Sequence, residues 1–453
     1  MNKKTQVDKS KYLFSNKALI ALIVPLIVEQ FLQAFVGLAD SIMVASVGEA
    51  AVSGVSLVDT VMILLINIFA ALATGGAVVA GQYIGKKRPE MGCRAANQLM
   101  LVTFFSSVVV MILGYMLRNF ILHVVFGQIT EEVLYNSNLY LLIVFASIPF
   151  IALYNAGAAI FRSMGNSKIS MNTVLLMNSI NLGGNALLIY GLGFGVEGVA
   201  IPTLVSRVVA CVVILMLLRN EKYLIHFPRP ISFHLDRMLV KKILYIGVPN
   251  GLENSMFQLG KILVLSVVSG MGTASIAANA VSNNIATFAV LPGLAAGFAL
   301  LTVVSQCVGA NDYAQARYYT KKIISIVYGL FILVNLVVIG LLPVVMKIYN
   351  LSPEATEYAT RIIIYHSLCA VLIWPLAFTL ANTLRAANDV RYTMVLSIIS
   401  MWTFRIGFSY ILGVFLGWGV FGVWVAMTID WVFRTICFVT RYIRGKWQHQ
   451  YIA

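Results

Sequence analysis

The chain has 453 residues, 60% of them hydrophobic and only 11% charged, at a mean hydropathy of +0.88, whereas soluble domains carry roughly 25% charged residues. That balance excludes a soluble enzyme or binding domain and predicts an all-α polytopic membrane protein. The net charge of +15 needs no nucleic-acid partner, because the basic residues gather in short segments between apolar runs, where they set topology and meet anionic lipid.

A spanning helix needs about 20 mostly apolar residues. Twelve stretches qualify, at 17–43, 53–84, 95–117, 133–155, 168–190, 196–218, 242–269, 275–308, 318–343, 358–382, 392–416 and 420–442. With the N-terminus inside, most of the 32 Lys and Arg residues fall at internal ends and loops, among them Lys86, Lys87, Arg88, Arg162, Arg317 and Arg385. The positive-inside rule then puts both termini in the cytoplasm and the protein, multi-pass, in the cell inner (cytoplasmic) membrane. Cys93, Cys211, Cys307, Cys369 and Cys437 occur singly and indicate neither a disulfide framework nor a metal site.

Residues 1–16 read as a cytoplasmic arm without the apolar core of a removable signal peptide. The first helix carries Glu29, Gln33 and Asp40, and at 100° per residue Glu29 and Asp40 return to within about 20° of one face. A mid-membrane carboxylate is a functional candidate by default, since it costs at least about 2.5–3.5 kcal/mol. Asp59 in the second helix fits an interfacial or a functional role equally. The fourth helix brings Asn155, the fifth Asn181 and Asn185 one turn apart, and the sixth Thr203 and Arg207. Amides and hydroxyls clustered near an acid supply the oxygens that a sodium ion or a transferred proton requires.

The polar segment 219–241, with Pro228 and Pro230, is the one candidate linker, and it lies midway. Across it the sequence repeats at an offset of 224: Val24, Pro25 and Glu29 answer Val248, Pro249 and Glu253; Gly48 answers Gly272; Gln82 and Gly85 answer Gln306 and Gly309; Gly195 and Gly198 answer Gly419 and Gly422. With a one-residue slip, Arg162 answers Arg385. Six helices per repeat is an even number, so the halves predict two pseudo-symmetric six-helix bundles, 17–218 and 242–453, related by an axis along the membrane normal. The seventh helix, with Asn250, Glu253, Asn254, Gln258 and Lys261, is too polar to face lipid. Glu29, Gln33, Glu253 and Asn254 are the expected substrate contacts. His366 reads as a packed, neutral ring. Asp430 and Arg434, four apart on the twelfth helix, are expected to neutralise each other as a structural ion pair.

The 6+6 helices, Leu38-Ala39-Asp40, the inner segment Phe161-Arg162-Ser163-Met164-Gly165-Asn166-Ser167-Lys168 with its counterpart Leu384-Arg385-Ala386-Ala387-Asn388-Asp389, and the run from Tyr190 to Ala200 together resemble the multidrug and toxic compound extrusion (MATE) transporters. The resemblance covers nearly the whole chain. It implies a secondary active antiporter, not an enzyme, that exports small organic cations or amphiphiles in exchange for inward sodium ions or protons by alternating access. It implies no cofactor, and an ion-coupling site at Asp40, Asn155, Asn181 and Thr203, with Asp40 as the sodium ligand. Asn185 stands where some members have a second aspartate, and Trp374 where others pair an aspartate with the seventh-helix glutamate. The other expected partner is membrane lipid, with no nucleic acid, and the protein is expected to be a monomer. The alternative within transport is a flippase for lipid-linked oligosaccharide or lipid, which requires a basic cavity such as Arg207, Lys261 and Arg405 would provide. Neither metal-ligand spacing, nor a nucleophile beside a base, nor a phosphate-cradling glycine loop points to an enzyme.

Overall fold

The computed structural model describes residues 12–227 and 233–450, which form helices joined by short turns. Residues 1–11 of the expected arm, and Pro228, Arg229 and Pro230 of the expected linker, lie outside the described residues. The main helices are α1 (Asn16–Val47), α2 (Glu49–Gly85), α3 (Pro89–Met116), α4 (Glu131–Phe145), α5 (Ile148–Ser163), α6 (Ser167–Gly191), α7 (Glu197–Leu218), α8 (Arg237–Ser269), α9 (Thr273–Gly309), α10 (Tyr313–Tyr349), α11 (Pro353–Ala386), α12 (Val390–Phe415) and α13 (Gly419–Ile443).

Ten of these are long and apolar enough to cross a membrane, and α4 with α5 make a further span bent by 49°. The twelfth is α8, long enough at 33 residues but carrying the polar positions already noted. The helix count read from sequence therefore stands. Boundaries move outward in several places: α5 runs to Ser163, α10 spans Tyr313–Tyr349 and α11 reaches Ala386.

The repeat is written into the backbone as well as the side chains. Left-handed or otherwise positive φ angles occur at Gly48 (142°) and Gly272 (95°), at Lys87 (57°) and Asn311 (58°), at Gly165 (80°) and Asn388 (69°), and at Gly193 (69°) and Gly417 (71°). These pairs are repeat equivalents, so the same sharp turns join the same helices in both halves. At Gly48 and Gly272 a single residue region reverses the chain, which only glycine does without strain. Caps close other ends: the Asp312 carboxylate accepts from Gln315 N at 2.9 Å and Ser352 Oγ from Ala355 N at 3.2 Å.

By contacts the chain forms two compact units, Val24–Gly251 and the remainder. The expected bundles follow the repeat boundaries at 17–218 and 242–453; the contact division falls instead inside α1, between Ile23 and Val24, and inside α8, between Gly251 and Leu252, next to each repeat's proline. Local bonds account for this. Leu13 N donates to Gln315 Oε1 and Phe14 N to Tyr319 Oη, both at 2.9 Å, tying the chain ahead of α1 to α10. In the Val24–Gly251 unit, Gln98 on α3 donates to His234 O at 2.8 Å and accepts from Asp236 N at 3.0 Å, holding the entry to α8.

Each unit is built around its second helix. In the first, α2 packs against α3, α4 and α5; in the other, α9 packs against α10 and α11. Small residues permit the close approach, as is usual in membrane bundles, where apolar burial from water does not drive helix association. A Cβ on Gly75 would lie 2.5 Å from Ile243 O, and one on Gly422 of α13 would lie 2.8 Å from the Leu412 carbonyl carbon and oxygen.

Backbone atoms cannot retreat as a flexible side chain can. Gly422→Ala is expected to lower stability by about 1–3 kcal/mol, whereas Gly329→Ala on α10, with nothing within 4 Å, is expected to raise it by about 0.5–1 kcal/mol through helix propensity; thermal unfolding of the purified protein compares the two.

Candidate functional site

In the Val24–Gly251 unit, a chain of hydrogen bonds starts at Asp40. Asn185 Nδ2 donates to Asp40 Oδ1 at 2.8 Å and reaches Asn181 Oδ1 at 3.3 Å; Asn181 Nδ2 donates to Thr203 Oγ1 at 3.0 Å, and Thr203 Oγ1 donates to Val199 O at 2.8 Å. One-turn spacing puts both asparagines on one face of α6, and Gly184 lets that face approach Pro202 of α7, since a Cβ there would lie 2.7 Å from the proline Cβ. Asn185 is completely buried and its Oδ1 has no hydrogen-bond partner. An acceptor left open beside a buried carboxylate is suited to a cation or a proton donor.

Asn155 is not part of this chain. It is half-buried and its side chain makes no hydrogen bond among the described residues, while its neighbours Tyr154 and Ala156 are buried in the packing of α5. The link from Asp40 closes through α6 and α7 without it. Two groups that the sequence placed less firmly enter instead. Tyr140 Oη donates to Asp59 Oδ1 at 3.0 Å, and Arg207 Nη1 donates to Ser147 Oγ at 2.7 Å. Asp40, Asp59 and Arg207 share one electrostatic neighbourhood, so this group holds two carboxylates against one guanidinium. Tyr140 carried no recognisable signal in the sequence.

Glu29 and Glu253, two of the expected substrate contacts, are buried at 2% and 7% exposure, and each has a counter-ion that the sequence did not pair with it. Arg162 Nη1 lies 3.2 Å from Glu29 Oε1 and donates to Ser170 Oγ at 3.1 Å, and Ser170 Oγ in turn donates to Glu29 Oε2. Arg385 Nη2 lies 2.7 Å from Glu253 Oε1, and Arg385 Nη1 donates to Asn382 Oδ1 at 2.9 Å. Both arginines had been read as loop cations that set topology. They sit instead in the last turns of α5 and α11, because these helices continue beyond the apolar runs, and their long side chains turn back to the buried acids. Their mutual correspondence in the repeat was the signal that could have paired them. Gln33 is exposed and Asn254 half-buried, and neither forms a hydrogen bond among the described residues.

The other unit holds a different constellation. Arg434 Nε lies 2.9 Å from Asp430 Oδ1, Arg434 Nη2 donates to Ser397 O at 3.0 Å, and Ser400 Oγ also donates to the Asp430 carboxylate. Lys261 Nζ and the Arg405 guanidinium stand 5.3 and 5.1 Å from the Phe257 ring centre, with Arg434 at 6.0 Å from the same ring. His366 packs edge-on between Trp424 and Trp431, each 5.4 Å away. Trp374 stacks between Phe331 and Phe378, at 5.4 and 5.0 Å.

A sequence model of the MatE family matches residues 25–187 and again residues 249–411, the same offset of 224 at which the repeat was found. The Bacillus subtilis "Uncharacterized transporter YisQ" is 25% identical over 451 residues, covering 98% of this chain and 96% of its own. From the same organism, the "Probable multidrug resistance protein YoeA" is 26% identical, covering 90% and 89%. Among solved structures, an outward-facing multidrug resistance MATE family transporter of the MOP superfamily superposes with a TM-score of 0.87 at 21% identity, over 95% of each chain. A MOP superfamily transporter from Pyrococcus furiosus, described as having a binding pocket of reverse polarity that suggests a different function, gives 0.88 at 21% identity, over 96% of this chain and 97% of that one. These likenesses establish the fold over nearly the full length.

Removing one partner of a buried ion pair strands the other charge, at about 3–5 kcal/mol. Glu29→Gln and Arg162→Gln are therefore each expected to destabilise the protein by about that much, and the double substitution by clearly less than their sum; a double-mutant cycle of thermal unfolding measures the coupling.

Proposed function

Because the chain belongs to the MatE family of membrane transporters, we propose that it is a secondary active antiporter of the cytoplasmic membrane, exporting bulky amphiphilic organic compounds in exchange for inward sodium ions or protons. The observation that carries this reading is the Asp40 carboxylate held by Asn185, whose own buried Oδ1 has no partner. Asp40, Asn181, Asn185 and Thr203 offer the carboxylate, amide and hydroxyl oxygens that a sodium ion takes up, and the same neighbours stabilise a protonated Asp40. The ion is cargo here, and no resident cofactor is invoked.

The bundles 17–218 and 242–453 are the two bodies we expect to rock against each other, with both termini cytoplasmic and the protein acting as a monomer. Ion and substrate are coupled by their different affinities for the outward- and inward-facing states. Each ligand shifts that equilibrium only by the difference. In this reading Glu29 and Glu253 hold helix ends together through Arg162 and Arg385, while Gln33 and Asn254, whose side chains form no hydrogen bonds, remain candidates for substrate contact.

The cationic preference expected from sequence came from the family resemblance, with Glu29 and Glu253 as the expected substrate contacts. Since both carry a counter-ion, the sign of the substrate is better sought in groups without one. That a relative of the same fold is described as having a reverse-polarity pocket supports treating charge as a property of the individual chain. The flippase alternative is not carried forward, because the relatives named for a function are multidrug resistance proteins.

Proteoliposomes with separately imposed sodium and proton gradients test the assignment. Asp40→Asn is expected to lower gradient-driven export by about 5- to 150-fold, the usual span of a coupling free energy, and Asn185→Ala to lower it less. Export by Asp40→Asn equal to the parent would sink the proposed ion site.

A further inference from the structure

The two repeats carry different charges at equivalent positions. At the offset of 224 Asp40 falls on Val264, so the second half has no carboxylate there, and Asn181 falls on Arg405, in the stretch between Gly165 and Gly193 over which the register slips by one residue. Gly37 corresponds likewise to Lys261. The first half's group thus holds Asp40 and Asp59 against Arg207, and the second half's holds Lys261, Arg405 and Arg434 against Asp430.

The second half's bases are not balanced locally. Arg405 is 9% exposed, its Nε has no hydrogen-bond partner, and its guanidinium makes neither hydrogen bond nor ion pair among the described residues. Lys261 is likewise without an acidic partner, and the charged group acting on it is Arg405, a like charge. Asp430 is the carboxylate of the group; its Oδ1 is engaged by Arg434 and Ser400. Its Oδ2 has no hydrogen-bond partner and is not within 4.0 Å of Arg405. Three bases against one acid leave an excess of two positive charges around Phe257.

Cation–π contact does not offset that excess, because the three bases share the Phe257 ring and only Arg434 stands over a second one, Phe378 at 5.3 Å. The aromatic surface continues from Phe257 to Phe378 at 6.4 Å, and from Phe378 to Trp374 and Trp431 at 5.0 and 6.1 Å. Arg405 lies in the π-helical stretch Met401–Gly407 of α12, and Pro375–Thr379 of α11 is π-helical as well. Such widened turns are frequent at functional sites.

We propose that Lys261, Arg405 and the Phe257 wall form a binding site for the acidic group of an aromatic or amphiphilic organic anion, a carboxylate, sulfonate or phosphate ester, carried by this half of the protein. The proposal rests on the export reading and specifies its substrate class. The anion's oxygens accept from the guanidinium and ammonium groups, and its apolar body lies on the aromatic rings. Binding leaves the acid-rich first half free for the coupling cation, so that substrate and ion occupy twin sites without competing for one carboxylate.

Calorimetric titration of the full chain in phosphatidylcholine nanodiscs tests this with two bicyclic probes of matched shape and opposite charge, 2-naphthalenesulfonate and N-methylquinolinium. The sulfonate is expected to bind at least about tenfold tighter, and Lys261→Gln and Arg405→Gln each to weaken it by about tenfold, the loss of one charge-assisted hydrogen bond. Arg405→Lys is expected to retain part of the affinity. Lys261→Gln, at an exposed position, keeps the test open if Arg405→Gln does not fold. Equal or tighter binding of the quinolinium, or sulfonate affinity that survives both Lys261→Gln and Arg405→Gln, overturns the proposal and leaves only structural cation–π contacts.

Adding phosphatidylglycerol to the discs separates two sources of the anion. Competition with the sulfonate identifies a lipid headgroup, its absence a soluble compound, and both uphold the site. If binding follows the prediction but no gradient drives flux in proteoliposomes, the antiport reading fails and the anion site stands. If flux is gradient-driven but the quinolinium is preferred, the anion site fails alone.

Discussion

A charge at the middle of a bilayer costs at least about 2.5–3.5 kcal/mol even on lenient scales, and the arrangement of this protein follows from how each such charge is compensated. Glu29 with Arg162, Glu253 with Arg385, and Asp430 with Arg434 are neutralised within their own units. A pair of this kind is weak evidence for stability in itself, because desolvation offsets much of the attraction. Its value lies in specificity: once one partner is buried, the other must occupy one place, and the helix ends that carry both are held in register.

Against that background Lys261 and Arg405 stand out, since they rest on an aromatic ring, while Asp40 is held by the Asn185 amide in the neighbourhood of Asp59 and Arg207. Such groups are tolerated when a ligand supplies the missing charge during part of a working cycle, and a transporter that alternates between two states has two ligands available to do so. Duplication makes the division economical. One bundle design, with the same turns at Gly48 and Gly272 and at Gly193 and Gly417, is used twice, and a few substitutions at equivalent positions change the sign of what it holds.

Helix ends explain most of the distance between the sequence reading and the structure. Hydropathy locates the apolar middle of a helix but not its polar last turns, so Arg162 and Arg385 read as loop residues although they belong to α5 and α11. The same blind spot made Glu29 and Glu253 look unpaired. Asn155 belongs to the same amide-rich region, and its side chain makes no hydrogen bond in the chain that runs from Asp40 through Asn185 and Asn181 to Thr203. Tyr140 was illegible because one tyrosine among 20 has no distinguishing neighbourhood until α4 is folded beside α2.

What the sequence determined by itself is what local physics and repetition determine. Long apolar runs must be helices in a bilayer, because each backbone polar group must be satisfied within its own segment; and the offset of 224 duplicates the bundle. The pairing of charges was decided only by the tertiary structure. Glu29 and Arg162 are 133 residues apart, Asp40 and Asn185 are 145 apart, and nothing short of helix packing states which buried acid meets a base, which meets an amide, and which bases are left facing an aromatic ring.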